Sequence, residues 1–142
     1  MNKLWSRLWV PALTLALLGT IAGCSSDDDG TTAPPTRVDL SGNYTMLSIN
    51  QGGITLTPPA ATGTLVLTAT NYTLSLVTPD GQGGQTVIND TGTYVALTDG
   101  SWAQDSDGAL GQSTGTYTES GNNITVNATS AGIQVITVWQ RN

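Results

Sequence analysis

The chain contains no histidine, no phenylalanine and a single cysteine, and only 4 of its 142 residues are basic. Without histidine it lacks the commonest general base and the commonest metal ligand. One cysteine excludes an intrachain disulfide and a cysteine-rich zinc site. Four Lys and Arg stand against 10 Asp and Glu, a net charge of −6. That balance argues against nucleic acid, because phosphate binding needs clustered cations. Charged residues make up only 10% and hydrophobic ones 38%. The composition therefore fits neither charge-driven disorder nor a multi-span membrane protein. The length suits one ordinary domain.

Residues 1–23 differ in kind from the rest. Lys3 and Arg7 form a short positive region, Val10–Thr20 is apolar, and small residues follow at Ala22-Gly23, directly before Cys24. This order describes a secretory signal. The apolar run is shorter than the ~20 residues a spanning helix needs. Ile21-Ala22-Gly23-Cys24 resembles the lipobox of bacterial lipoproteins, with Ile where Leu is commoner. The resemblance implies that Cys24 is acylated and becomes the first residue of the mature chain, a palmitate-type anchor that ties the protein to a lipid bilayer without spanning it. An ordinary secretory signal with a chance cysteine is the alternative. Ser25 after the cysteine resembles lipoproteins sent to the outer membrane. The run Ser25-Ser26-Asp27-Asp28-Asp29 resembles the surface-export signal of some Bacteroidota lipoproteins. The expected location is thus the outer membrane, facing the periplasm or the cell surface.

Removing residues 1–23 leaves Arg37 and Arg141 against 10 acids, a net charge of −8. Residues 24–37 lack periodicity and are rich in Ser, Asp, Thr and Pro. They read as a tether, extended by Pro34-Pro35 and by self-repelling aspartates.

From about Val38 the pattern is period two. Leu65 and Leu67 alternate with Thr64, Val66 and Thr68, and Tyr72, Leu74 and Leu76 alternate with Thr73, Ser75 and Val77. Such alternation marks half-buried strands. Threonine, β-branched and strand-favouring, supplies 22 of the 119 residues from Cys24 onward. No sustained helical stripe occurs. Turn signals recur at Gln51-Gly52-Gly53, Thr70-Asn71, Pro79-Asp80-Gly81, Asp99-Gly100, Asp107-Gly108 and Gly121-Asn122-Asn123. Strands are expected at 42–49, 54–57, 63–69, 72–77, 92–97, 101–104, 114–119, 123–128 and 133–141. Val87-Ile88 either adds a short strand or extends the one at 92. Polar loops are expected at 78–91 and 104–114.

A small motif repeats at Ser41-Gly42-Asn43-Tyr44, Thr62-Gly63-Thr64-Leu65, Thr91-Gly92-Thr93-Tyr94 and Thr114-Gly115-Thr116-Tyr117, each expected to open a hairpin. The glycine and the large residue two positions on share one sheet face. Glycine there admits a neighbouring ring or backbone, or a sharp coil of the strand. Spacings of 21, 29 and 23 residues between these glycines are too uneven for a solenoid. The expectation is an all-β antiparallel up-and-down meander of eight or nine short strands over 38–142, closed into a small barrel because closure removes both exposed edges. A β-sandwich is the alternative. A membrane barrel fits poorly, since it needs strands of ~9–11 residues and aromatic girdles.

Leu40-Ser41-Gly42-Asn43-Tyr44 and the closing Val138-Trp139-Gln140-Arg141 are similar to small lipocalin-like bacterial lipoproteins. Lipocalins open with Gly-x-Trp and close with an Arg packed over that Trp. The resemblance implies that Gly42, Tyr44 and Arg141 close the barrel, with Tyr in place of Trp, by a cation–π contact of ~0.5–2 kcal/mol. Arg141 as a solvated terminal charge is the other reading. The span of 38–142 is shorter than most lipocalins, so a filled interior competes with a ligand cavity. If a small apolar ligand binds, Leu65, Leu67, Tyr72, Leu74, Tyr94, Trp102 and Tyr117 are the candidate residues on the inner surface.

No catalytic set assembles. The expected mature chain has neither His nor Lys to activate a Ser or Thr nucleophile. Asp90, Asp99, Asp105, Asp107 and Glu119 could in principle pair for glycoside hydrolysis, but most sit at expected turns, where solvation explains them. Asp105-Ser106-Asp107-Gly108 looks like a calcium loop, yet the twelfth position holds Thr116, or Thr114 counting from residue 103, rather than Glu. No metal, cofactor or nucleic acid is expected. The functional expectation is a non-enzymatic, membrane-anchored lipoprotein whose barrel binds a small hydrophobic ligand. The alternative is a structural or protein-interaction module of the cell envelope.

Overall fold

The computed structural model describes residues 33–108 and 110–142. Nine strands follow in order: β1 (Gly42–Gln51), β2 (Ile54–Leu56), β3 (Thr62–Leu67), β4 (Asn71–Pro79), β5 (Gln85–Ala96), β6 (Ser101–Ser106), β7 (Gln112–Ser120), β8 (Asn123–Ser130) and β9 (Ile133–Arg141). Each of β3 to β9 pairs antiparallel with the next strand, and β1 pairs with β3. β9 returns to β1 along a register from Tyr44↔Arg141 to Gln51↔Val135, with a bulge between Met46 and Ser48. Eight strands thus close a barrel by meander connections. The ninth, β2, is a three-residue ribbon on the far half of β1. One sheet closed on itself is not a sandwich, and the architecture is compatible with a lipocalin-like fold.

The alternation that marks the strands also sorts their faces. In β5, Asp90, Gly92, Tyr94 and Ala96 are buried, while Asn89, Thr91, Thr93 and Val95 are exposed. The same holds around the barrel, with Thr73, Thr114, Thr116 and Thr118 turned to the outside. Several strands reach the length of spanning ones, with 12 residues in β5 and 10 in β1. Strand length is therefore not what separates this barrel from a membrane-spanning one. The polar outer face is: a lipid-spanning barrel turns its apolar face outward.

One expectation changes in the structure, and one alternative is resolved. The loops at 78–91 and 104–114 shrink to residues 80–84 and 107–111, because β4, β5, β6 and β7 all run on past the expected ends. Val87-Ile88 extends β5 rather than forming a strand of its own. The sequence there is polar because it faces water on one side, and a ladder of backbone hydrogen bonds does not require apolar side chains. Consequently Gly92 and Gly115 lie within strands instead of opening hairpins.

Their role is close approach. Gly63 pairs with Leu76, Gly92 with Tyr72 and Gly115 with Trp102 across neighbouring strands, setting a vacant position beside a large inner side chain. A Cβ on Gly115 would collide with the carbonyl oxygen of Asn127, and one on Gly92 with that of Asp105. Turn glycines act differently: Gly100 and Gly121 have φ of +84° and +59°, which side chains disfavour.

Candidate functional site

The barrel has two unlike ends. At one end lie the β3–β4, β5–β6 and β7–β8 turns and the entering segment at 36–41. Three inner tyrosines send their hydroxyls toward backbone carbonyls there. Tyr44 donates to Leu40 (2.7 Å), Tyr94 to Thr68 (2.8 Å) and Tyr117 to Leu97 (3.0 Å). All three belong to the glycine-x-tyrosine repeats, and all are buried. Burial raises the pKa of Tyr94 and Tyr117.

Both arginines of the described residues cap this end. The Arg141 guanidinium carbon lies 5.2 Å from the Tyr44 ring centroid, and its Nε and Nη2 donate to the Tyr44 hydroxyl at 3.0 and 2.6 Å. Gly42 makes room, since a Cβ there would stand 3.0 Å from Arg141 Nε. Gly42, Tyr44 and Arg141 are thus in mutual contact at the β1–β9 seam. Arg37 repeats the arrangement, 5.7 Å from the Tyr94 ring, and donates to the Tyr94 carbonyl. Its backbone bridges to Leu97, and Thr98 N donates to the Thr36 carbonyl, so barrel pairing begins ahead of residue 38. Leu40, Leu67 and Ala96 are buried in the same half. This end is closed.

The other half holds a cavity of about 230 Å³. Leu65, Tyr72, Trp102 and Trp139 line it together with Ile49, Leu74, Leu76 and Val135, and it reaches the exposed residues Gln51, Leu110 and Gly111 at the mouth. Polar lining residues are spread round the wall at Gln51, Gln104, Ser113, Ser130 and Thr137, with Gln104 and Ser113 paired neighbours on β6 and β7. For comparison, an apolar cavity of about 150 Å³ accommodates benzene. Of the seven candidate ligand residues, Leu65, Tyr72, Leu74 and Trp102 therefore meet around one cavity. Leu67, Tyr94 and Tyr117 lie in the closed half instead. They share the inner face, and face alone carries no information about height along the barrel.

Trp102 separates the halves. It is 4% exposed, stacks on Tyr94 with centroids 5.2 Å apart and meets Tyr117 at 6.3 Å. Its indole Nε1 is buried with no hydrogen-bond partner among the described residues. Trp139, by contrast, donates its Nε1–H to Thr137 Oγ1 at 2.8 Å.

One of the candidate carboxylates is buried in a strand rather than solvated at an expected turn. Asp90 is 5% exposed and points into the barrel from β5, not to solvent at a turn. The Tyr72 hydroxyl donates to its Oδ2, and Ser106 Oγ donates to its Oδ1 at 2.5 Å. Gly108 N–H in turn donates to Ser106 Oγ (2.9 Å), so the β6–β7 loop is fastened over the carboxylate. Burial, with Asp90 adding to it, pushes the Tyr72 phenol up to about 12. The signal was present in period two, since Asp90 falls in step with Ile88, Gly92 and Tyr94. The calcium-loop look of 105–108 has this structural content: Ser106 serves Asp90, and Asp107 accepts from Thr91 Oγ1 at 3.5 Å.

Cys24, with the rest of 1–32, lies outside the described residues. The chain matches no protein-family model, no curated protein and no solved structure at a significant level.

Proposed function

We propose that this protein is a non-catalytic, lipid-anchored binding barrel that holds a small apolar ligand in the cavity at its open end. In this reading Cys24 carries the acyl anchor, residues 1–23 are the signal, and the barrel stands off the outer membrane on the 24–37 tether. The observation that carries the binding part is the cavity of about 230 Å³ walled by Leu65, Tyr72, Leu74 and Trp102. Apolar walls offer water few hydrogen bonds, so an apolar ligand that displaces water from this cavity is favoured. Ligands of one or two rings or a short acyl chain match it.

Among the described residues the barrel pairings lie within 36–142, so a fragment from residue 33 onward contains them. Native mass spectrometry of that fragment, purified from its bacterial host without detergent, is expected to show an organic adduct of a few hundred daltons that denaturation releases. A uniformly ligand-free barrel sinks the binding claim. The anchor has its own test. An alkyne fatty acid fed to cells is expected to label the full chain, and Cys24→Ser abolishes the label.

A protein-interaction role at the envelope is the second reading. The exposed apolar side chains Ile54, Val87, Leu110 and Ile133, all on mouth-side strand ends or turns, favour it. Crosslinking in cells separates the two, since a pure ligand carrier yields no specific protein adduct.

A further inference from the structure

The two ends of the barrel differ in their surfaces as well as in their interiors. Four exposed large apolar side chains stand on the mouth side: Ile54 at 68% exposure, Val87 at 59%, Ile133 at 50% and Leu110 at 37%. They belong to four different connections, β1–β2, β4–β5, β8–β9 and β6–β7. Three of them edge the cavity itself. Ile54 is the strand partner of Gln51 and Ile133 that of Ser130, partners share a sheet face, and Gln51, Ser130 and Leu110 all line the cavity. Among the described residues, the closed-end turns at 68–70, 97–100 and 121–122 carry no exposed large apolar side chain.

Charge and chain length indicate what such a rim meets. Asp80 and Asp107 lie in the mouth-side turns, whereas Arg37 and Arg141 are engaged on tyrosines at the closed end. A second copy docked mouth to mouth sets these carboxylates against their own copies, and an anionic surface meets them without a cation. A zwitterionic bilayer takes up the apolar side chains with neither cost. Reach agrees. The chain joins the barrel at Thr36, at the closed end, and the 12 residue steps from Cys24 to Thr36 span at most ~43 Å. A wall of 12 residues, the length of β5, stands ~30 Å tall at ordinary strand rise and tilt. A chain anchored at Cys24 can therefore set its mouth, and not only its closed end, on the membrane that holds it.

Resting on the anchored binding reading above, we propose that the mouth rim is a membrane-docking surface. Ile54, Leu110 and Ile133 seat in the interfacial layer of a zwitterionic bilayer, and an apolar ligand passes between lipid and cavity without crossing water. A protein partner for the same side chains is the competing occupant.

The test uses the full chain, acylated in its host and reconstituted into phosphatidylcholine vesicles. With Cys24 blocked by its lipid, Gln82→Cys at the mouth or Asn122→Cys at the closed end, both exposed turn positions, takes a single nitrobenzoxadiazole label. Nitroxide-bearing lipids are expected to quench the label at 82 and leave the one at 122 unchanged. Ile54→Asp abolishes the quenching at 82. Deleting residues 27–32 does so too, because the remaining contour of ~20 Å is shorter than the barrel. Replacing 27–32 by an equal length of Gly and Ser preserves the quenching, which separates reach from the charge of Asp27, Asp28 and Asp29. Admixed phosphatidylglycerol weakens it, and high salt restores it. A chain that floats with the vesicles but is quenched at neither position, or equally at both, overturns the docking and leaves the anchored binding barrel standing. Quenching at 82 that survives both Ile54→Asp and the deletion overturns it as well. A label at 82 unquenched in vesicles, in a chain whose rim crosslinks to one protein in cells, gives the rim to that protein and overturns the docking. A chain that carries no acyl group and stays off the vesicles overturns the anchor and the docking together, while the native mass spectrum tests the cavity independently.

Discussion

Asp90 is a carboxylate taken out of water inside a barrel lined mainly by apolar side chains, and it is tolerated because two hydroxyls meet it. Removing one partner leaves the others exposed to the full cost of an unmet buried group, whereas removing both can be nearly neutral. Asp90→Ala is therefore expected to cost about 2–4 kcal/mol, and Tyr72→Phe about 1–3 kcal/mol. The double variant costs less than their sum by about 1–2 kcal/mol, which a double-mutant cycle of urea unfolding reads directly. Additive effects would show that the Tyr72–Asp90 contact is energetically idle. This carboxylate was within reach of the sequence, because it keeps step with Tyr94 and Gly92. An aspartate near a glycine and a threonine usually means a turn, whereas β5 continues through Asp90 and carries it inward.

At the scale of the element, the glycines of the repeated motif determine which strands can lie close. Gly115→Ala places a methyl group against the carbonyl of Asn127 and 2.8 Å from the Ala128 Cα, both backbone atoms that cannot swing aside. Gly63→Ala meets mostly side-chain tips, Leu76 Cδ1 at 3.2 Å and Trp139 Cη2 at 3.3 Å, with one backbone oxygen at 3.1 Å. Overpacking costs of about 1–3 kcal/mol are usual, so Gly115→Ala is expected at or above the top of that range and Gly63→Ala near its bottom. Thermal unfolding of the two variants should rank them in that order. The reverse order would show that the β7–β8 pair yields more easily than its spacing implies. The motif was legible as glycine-x-aromatic, and so was the shared face. Where it sits in a strand was not, since strand ends depend on the partner strand rather than on local composition.

For the whole molecule, the barrel is plugged at one end by tyrosine hydroxyls and open at the other. Buried phenols in both halves set a pH dependence. Tyr72, at about 12, and Tyr94 and Tyr117 are all raised above the ordinary phenol value of 10. A raised folded-state value means the folded protein favours the neutral phenol. The resulting stability is complete below about pH 10 and is lost as pH climbs from 10 toward 12. Melting temperature should fall across that window, and Tyr72→Phe should flatten the fall. At the acid side, Asp39 and Asp99 are held below 3.8 by hydrogen bonds from Ser41 and Ser101. Their contribution is present above that value and fades as pH drops below it, by a small amount because both are fully exposed. A melting temperature independent of pH between 9 and 11.5 would mean the buried phenols are titrating as if in water. Filling the cavity tests the other end: Ala128→Leu, which adds volume to its lining, should abolish the organic adduct seen by native mass spectrometry while thermal unfolding stays cooperative.

The class of structure is already written in the residues: period-two alternation of apolar and threonine-rich positions with glycine turns leaves little choice but antiparallel strands. The sequence also placed Gly42, Tyr44 and Arg141 near the two ends that closure brings together. Height along the barrel, by contrast, follows from strand pairing alone. Period two tells inside from outside, but two inward residues on different strands are neighbours only once register and shear are known. That is why Tyr94 and Tyr117 turned out to seal the floor and Leu65, Tyr72, Leu74 and Trp102 to face the cavity, although all share one face. It is also why Tyr72, Asp90 and Ser106, successively 18 and 16 residues apart along the chain, meet in one network: hydrogen bonds between strands, not local sequence, set them side by side.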